Sequence, residues 1–83
     1  MTMLNLAEKR LYRVLEFPKH LQTTLLTLLK LGLATASDVA SITGKARAVE
    51  SAYLNQLCIL RVAAKSRSKR RAYFQVVLEA LEW

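Results

Sequence analysis

Leu21, Leu25, Leu28 and Leu29 fall at i, i+4, i+7 and i+8, one apolar stripe of a helix that Pro18 opens and Gly32 can close in a left-handed conformation. Upstream, Ala7, Leu11 and Val14 recur at helical spacing with Leu15 beside them, behind a capping-box-like Asn5 and Glu8. These signals predict a helix over residues 6–16, although LYRVLEF within it also alternates well enough for a strand. Downstream, Thr35 and Asp38 offer an N-cap pair, Val39 and Ile42 face inward, and Gly44 closes a short helix of about two turns. A longer helix starts within a few residues of Gly44, its apolar positions Ala46, Val49, Tyr53, Leu57 and Leu60 repeating in steps of three and four, with Leu54 widening the stripe. The opposite face carries Lys45, Arg47, Ala48, Ser51 and Asn55. The period then changes: in VAAKSRSKRRAYFQVV, Phe74 and Val76 alternate with Tyr73, Gln75 and Val77, which reads as two strands around a basic tip.

A chain of 83 residues suits one domain, at a size where a single core stabilises a monomer only marginally. Two glycines, one proline and a 53% hydrophobic content favour a compact helical fold over disorder. The single cysteine, Cys58, has no partner for an internal disulfide and lacks the paired spacing of a zinc site, which suits a reducing compartment. The start MTMLNLAEKR puts charges where a signal peptide needs its apolar run, and LQTTLLTLLKLGLA is broken by Gln22 and Lys30. A soluble, cytoplasmic protein is expected, with no export signal and no membrane partner.

Charge changes the picture more than composition does. Residues 45–71 hold eight cations against the one acid Glu50, a net +7, while the remaining five cations and five acids cancel. The whole formal charge therefore sits in one third of the chain, the footprint of a polyanion-binding surface, since clustered like charge works against folding. Five of those cations, Lys65, Arg67, Lys69, Arg70 and Arg71, crowd with Ser68 into the predicted hairpin tip.

A short helix, a glycine turn and a longer helix with a basic, hydrogen-bonding face form the helix-turn-helix arrangement. DVASITGKARAVESAYLNQL resembles that motif in winged-helix transcription regulators of the MarR and ArsR kinds and in small archaeal winged-helix DNA-binding proteins. The matching residues are Val39 and Ala40, Thr43 and Gly44 at the turn, then Arg47, Ser51, Leu54, Asn55 and Leu57. Arg61 stands where many of these proteins carry glycine, and the wing tip has none. The resemblance extends loosely over residues 19–77 and implies a mainly α fold with a small β-hairpin: a winged helix-turn-helix of a three-helix core plus a two-stranded wing, with an extra N-terminal element. On that division 1–83 is one domain, with an N-terminal element over 1–17, the helical core over 18–61, the wing over 62–77 and an extension over 78–83.

The function expected is sequence-specific binding of double-stranded DNA by a small, nucleoid-associated transcription regulator. Arg47 suits a bidentate contact with guanine, Asn55 one with adenine and an outward Glu50 the cytosine amino group, while the hairpin supplies phosphate contacts and reaches the minor groove. The DNA-contacting set is Lys45, Arg47, Ala48, Ser51, Asn55, Lys65, Arg67, Ser68, Lys69, Arg70 and Arg71. Two other readings compete: a sequence-indifferent nucleoid or replication-associated nucleic-acid binder, and a winged-helix module that docks on protein. Catalysis has little support, because His20 is the sole histidine and the six acids are scattered. No cofactor, metal or small-molecule ligand is expected. The 1–17 element and the apolar Leu78, Leu81 and Trp83 point to a homodimer, with folding back onto the chain's own core as the alternative.

Overall fold

The leucine stripe sets the centre of the molecule. In the computed structural model, which describes residues 4–81, a helix α2 (Lys19–Leu31) buries Leu21, Leu25 and Leu28 together with Thr24 and Thr27. Thr27 satisfies its buried hydroxyl by donating to the Thr23 carbonyl at 2.8 Å. The helix stops at Gly32, whose φ of 80° is positive as the stop signal requires, with ψ of −102° lying off the left-handed helical basin.

Two further helices pack on α2. The helix α3 (Ala36–Thr43) opens with a complete capping box: the Asp38 N–H donates to Thr35 Oγ1 at 3.1 Å and the Thr35 N–H to Asp38 Oδ2 at 3.0 Å. It closes on Gly44 in the left-handed conformation, φ 77° and ψ 4°. The helix α4 (Arg47–Ile59) follows after two residues and contributes Leu54 and Leu57 to the core beside Val39 of α3. Each such fully buried side chain contributes about 1.5–3 kcal/mol relative to exposure.

The inward face of α4 differs from the one the spacing predicts. Glu50, Leu54 and Leu57 are buried, whereas Ala46, Val49 and Leu60 are exposed and Tyr53 only packs at the core's edge. Ile42 of α3, also expected inward, is 50% exposed. Leu54 and Leu57 are fully buried in this rotation, and Glu50 is carried inward with them. The buried Thr24 hydroxyl of α2 accommodates it by donating to Glu50 Oε2 at 2.8 Å, so that a carboxylate occupies a position the apolar pattern assigns to neither face.

Two antiparallel strands, β1 (Ala63–Ser68) and β2 (Arg71–Val76), form the predicted hairpin, with Ala63 opposite Val76 and Ser68 opposite Arg71. Phe74 and Val76 turn into the core, and Phe74 exchanges two backbone hydrogen bonds with Ala34, at 2.7 and 3.0 Å, tying the α2–α3 connection to the hairpin. The two-residue loop is Lys69–Arg70, with φ of 50° and 68°. Positive φ at both central positions is what a right-twisting hairpin with so short a loop demands, normally met by asparagine or glycine. A similar substitution for glycine occurs at the end of α4. There Arg61 holds φ 64°, its N–H donating to the Cys58 carbonyl and the Val62 N–H to the Leu57 carbonyl, both at 3.0 Å, a Schellman closure with arginine in the glycine position.

The first element is a helix, α1 (Leu6–Leu15), with Asn5 accepting from the Glu8 N–H at 2.8 Å. It lies against α2 and a single 3₁₀ turn (Leu78–Leu81), and buries only Val14; Ala7, Leu11 and Leu15 stay exposed among the described residues. Leu81 folds back and is fully buried, and Arg13 Nε donates to the Ala80 carbonyl at 3.4 Å. The expectation that Leu81 waits for a second copy is therefore corrected, Leu78 stays 41% exposed, and Trp83 lies outside the described residues. No helix among the described residues is long and apolar enough to cross a membrane.

Candidate nucleic-acid interface

Packing α3 and α4 beside the hairpin leaves a groove of about 530 Å³ between them. One wall is α4, through Arg47 and Ser51, one turn apart. The other is the hairpin, through Lys65, Arg67, Arg70 and Arg71, and the N-terminal turn of α3 closes one end with Ser37 and Asp38. The strand register explains the orientation of two of these cations. Lys65 and Arg67 stand opposite Phe74 and Ala72, so they share the strand face that turns toward the body of the protein. Lys65 Nζ sits 5.7 Å from the centre of the Phe74 ring, a cation–π contact that holds it at the groove floor.

The other anticipated residues fall outside the groove. Ala48 and Asn55 are exposed on the outer side of α4, and Ser68 and Lys69 are exposed at the hairpin tip. Lys45 is turned away: its Nζ is 4.0 Å from Glu50 Oε1 and 5.3 Å from the centre of the Tyr53 ring. Tyr53 in turn packs against His20, with ring centres 5.0 Å apart, and His20 Nε2 shares a hydrogen bond with Gln56 Oε1 at 3.1 Å. Lys45 thus belongs to the α2–α4 contact.

Glu50 is fully buried, so the reading in which it faces outward to a base is corrected. One oxygen accepts from Thr24; the other, Oε1, has no hydrogen-bond partner among the described residues and lies 4.0 Å from the Lys45 ammonium. Burial takes the single acid of residues 45–71 off the surface, and among the groove's lining side chains only Asp38 opposes five cations. The Asp38 carboxylate is held by the capping box. Half-buried Cys58 has its thiol pKa raised by burial, an effect the Lys65 ammonium partly offsets.

The α3 N-terminus was missing from the residues anticipated by sequence. Asp38 and Val39 have their N–H groups taken by Thr35, while those of Ala36 and Ser37 have no acceptor within the helix. A Thr-x-x-Asp capping signal marks such a terminus, and a helix N-terminus favours anions. What the capping signal does not carry is the knowledge that a cationic hairpin lies across from it.

Fold and groove together define a small, mainly helical protein whose described residues form four α-helices and a two-stranded antiparallel hairpin, with a cationic cleft between the fourth helix and the hairpin. The chain belongs to the same family as an uncharacterized protein of Archaeoglobus fulgidus, to which it is 42% identical over 59 residues, 71% of this chain and 80% of that one. No family model matches it, and no solved structure does.

Proposed function

We propose that this chain is a winged helix-turn-helix that binds double-stranded DNA sequence-specifically as a small transcription regulator. On this reading α3 and α4 are the helix-turn-helix, α4 enters the major groove, and the β1–β2 hairpin is a wing lying on phosphates. The observation that carries it is the shared groove: Arg47 and Ser51 of α4 and Lys65, Arg67, Arg70 and Arg71 of the hairpin line one concave surface. A merely solvated basic loop has no reason to converge on a helix face. Arg47, Ser51 and Asn55 are the base-reading side chains, with Ala48 small enough to allow close approach. The mechanism is occupancy of a site, without chemistry.

The test is binding of a labelled duplex measured against salt. Contacts by Arg47, Lys65, Arg67, Lys69, Arg70 and Arg71 give a log–log slope of roughly −5, and replacing Lys69, Arg70 and Arg71 by alanine removes about 2.7 of it. An unchanged slope rejects the wing contact and favours protein docking. A specific site is preferred over random duplex by about 10³-fold or more; equal binding favours the sequence-indifferent reading.

The same proposal includes a homodimer formed through α1. Leu11 and Leu15, 51% and 56% exposed at i and i+4, extend the stripe that Val14 buries within the chain. Two copies joined there present two α4 helices to half-sites about 34–36 Å apart. Sedimentation of wild type and of Leu11→Arg checks it: the substitution is expected to shift the equilibrium to monomer, and a wild type that stays monomeric at high micromolar concentration rejects it.

A further inference from the structure

The groove has a shape that a duplex backbone alone does not require. Its volume of about 530 Å³ falls in the range of small-molecule sites, and α3, α4 and the hairpin all line it. Arg47, Lys65, Arg67, Arg70 and Arg71 line it together with the single acid Asp38, an excess of four positive charges among the lining side chains. The open end of α3 adds the Ala36 and Ser37 N–H groups, which have no acceptor within the helix. We propose that this groove binds a free oligophosphate chain of a small molecule, three phosphates or so in length, and that this ligand excludes duplex DNA.

The chemistry follows from the lining. A triphosphate carries about four negative charges at neutral pH, which matches the groove's excess. Four of the five cations are arginines, and arginine pairs with phosphate oxygens in a bidentate fork that a single bound halide cannot exploit. The five heads come from α4, both strands and the loop between them, so a chain of phosphates satisfies them better than a single one. Nothing in the lining selects a base. Phe74, the one aromatic there, is 2% exposed and occupied by the Lys65 ammonium, so it offers no stacking platform. Phosphate number decides affinity, and the nucleoside does not.

Because Arg47 and the hairpin cations serve both ligands, the inference rests on the same surface as the DNA reading, and occupancy by one empties it for the other. A rising oligophosphate concentration therefore releases DNA without any change of fold. This is competition at one site, with no second site and no relay.

The experiment uses the whole chain with inorganic tripolyphosphate, ATP, GTP and AMP as probes, ionic strength being matched with sodium chloride. Amide spectra locate binding, and a fluorescent duplex reports displacement. Expected are shifts centred on Ser37, Arg47, Ser51, Arg67 and Arg71, tripolyphosphate, ATP and GTP alike within about threefold, and AMP at least tenfold weaker. Arg67→Gln, an exposed change, is expected to weaken tripolyphosphate at least threefold. Displacement of duplex follows the same order. If the duplex binds but tripolyphosphate neither shifts these amides nor displaces it beyond the salt control, the oligophosphate site is rejected and the DNA reading stands. If tripolyphosphate binds in the groove and no duplex does, the DNA reading falls and the site stands. Scattered surface shifts, or a clear preference for one nucleoside over tripolyphosphate, also overturn the proposal.

Discussion

Lys69 and Arg70 form the hairpin loop at φ of 50° and 68°, a conformation that costs an ordinary L-residue roughly 1–2 kcal/mol. The pair Asn-Gly adopts it with little strain, while glycine returns some of the gain as extra freedom in the unfolded chain, about 0.4–1 kcal/mol. The double change Lys69→Asn, Arg70→Gly is therefore expected to stabilise the fold by about 1 kcal/mol, a rise in Tm of about 4–8 °C for a domain this small. It also removes two exposed cations from the tip. If both reach phosphates, the log–log salt slope falls by about 1.8, so the affinity deficit of the variant shrinks about 12-fold between 50 and 200 mM salt. Thermal unfolding followed by circular dichroism and duplex anisotropy at several salt concentrations measure the two effects on one sample. Stability and affinity should move in opposite directions. A variant that melts lower than wild type refutes the strained two-residue turn; one that melts higher but keeps the full slope refutes the tip as a phosphate contact.

Three further outcomes probe the scaffold. Thr24→Val removes the one hydrogen bond of the buried Glu50 carboxylate and is expected to cost about 1.5–3 kcal/mol in urea unfolding, whereas adding Glu50→Leu restores stability to near or above wild type; a single-variant loss below about 0.5 kcal/mol contradicts the pairing. Arg61→Gly relieves the φ of 64° after α4 and is expected to raise stability by about 0.5–1 kcal/mol in the same assay. For Cys58 the folded thiol keeps its proton to higher pH than the unfolded one, so this contribution is complete below the unfolded pKa and is lost as pH rises through the folded one; Cys58→Ser is expected to flatten the fall in stability from about pH 7 to 10, and equal slopes would count against the burial effect.

The helix boundaries were legible because each is written in a few residues of local chemistry. Asn5 and Glu8, the Thr35–Asp38 box, Gly32 and Gly44 mark ends that the structure keeps, and the Leu21–Leu29 stripe lies on one face with only Leu29 at its margin. Period two over Phe74 and Val76 likewise found the buried side of β2. Orientation was less legible. The apolar steps in α4 gave one stripe of Ala46, Val49, Tyr53, Leu57 and Leu60 widened by Leu54, of which only the Leu54–Leu57 edge is buried, beside a Glu50 whose partner Thr24 lies on another helix. The Lys45 contact was hidden for the same reason, since its partner Glu50 reads as a surface acid until it is seen buried against Thr24. The groove was legible in part: charge, helix pattern and the resemblance named Arg47, Ser51, Lys65, Arg67, Arg70 and Arg71, while the α3 end was not found, because pattern along the chain carries no distance across three stretches between residues 35 and 74.

That one buried acid also bears on the charge of the groove, whose excess of four positive charges would fall to three if the carboxylate were exposed there. Successive α4 residues are about 100° apart around the axis, so Glu50 lies some 60° from Arg47 on the core side. A modest turn of α4 toward solvent would bring the carboxylate to the mouth of the groove, where it would pair with Arg47 or a hairpin arginine and repel any phosphate. The Thr24 hydroxyl prevents this by giving the carboxylate a partner inside, and Lys45 supplies the nearest countercharge without being drawn from the groove's own cations. The loss of affinity on Thr24→Val should therefore exceed what its loss of stability explains. Breaking the pair frees Glu50 to move outward, and removing its charge in Thr24→Val, Glu50→Leu should return binding along with stability. Recovery of stability alone, with duplex binding still weak, would mean that Glu50 shapes the helix and leaves the field of the groove untouched.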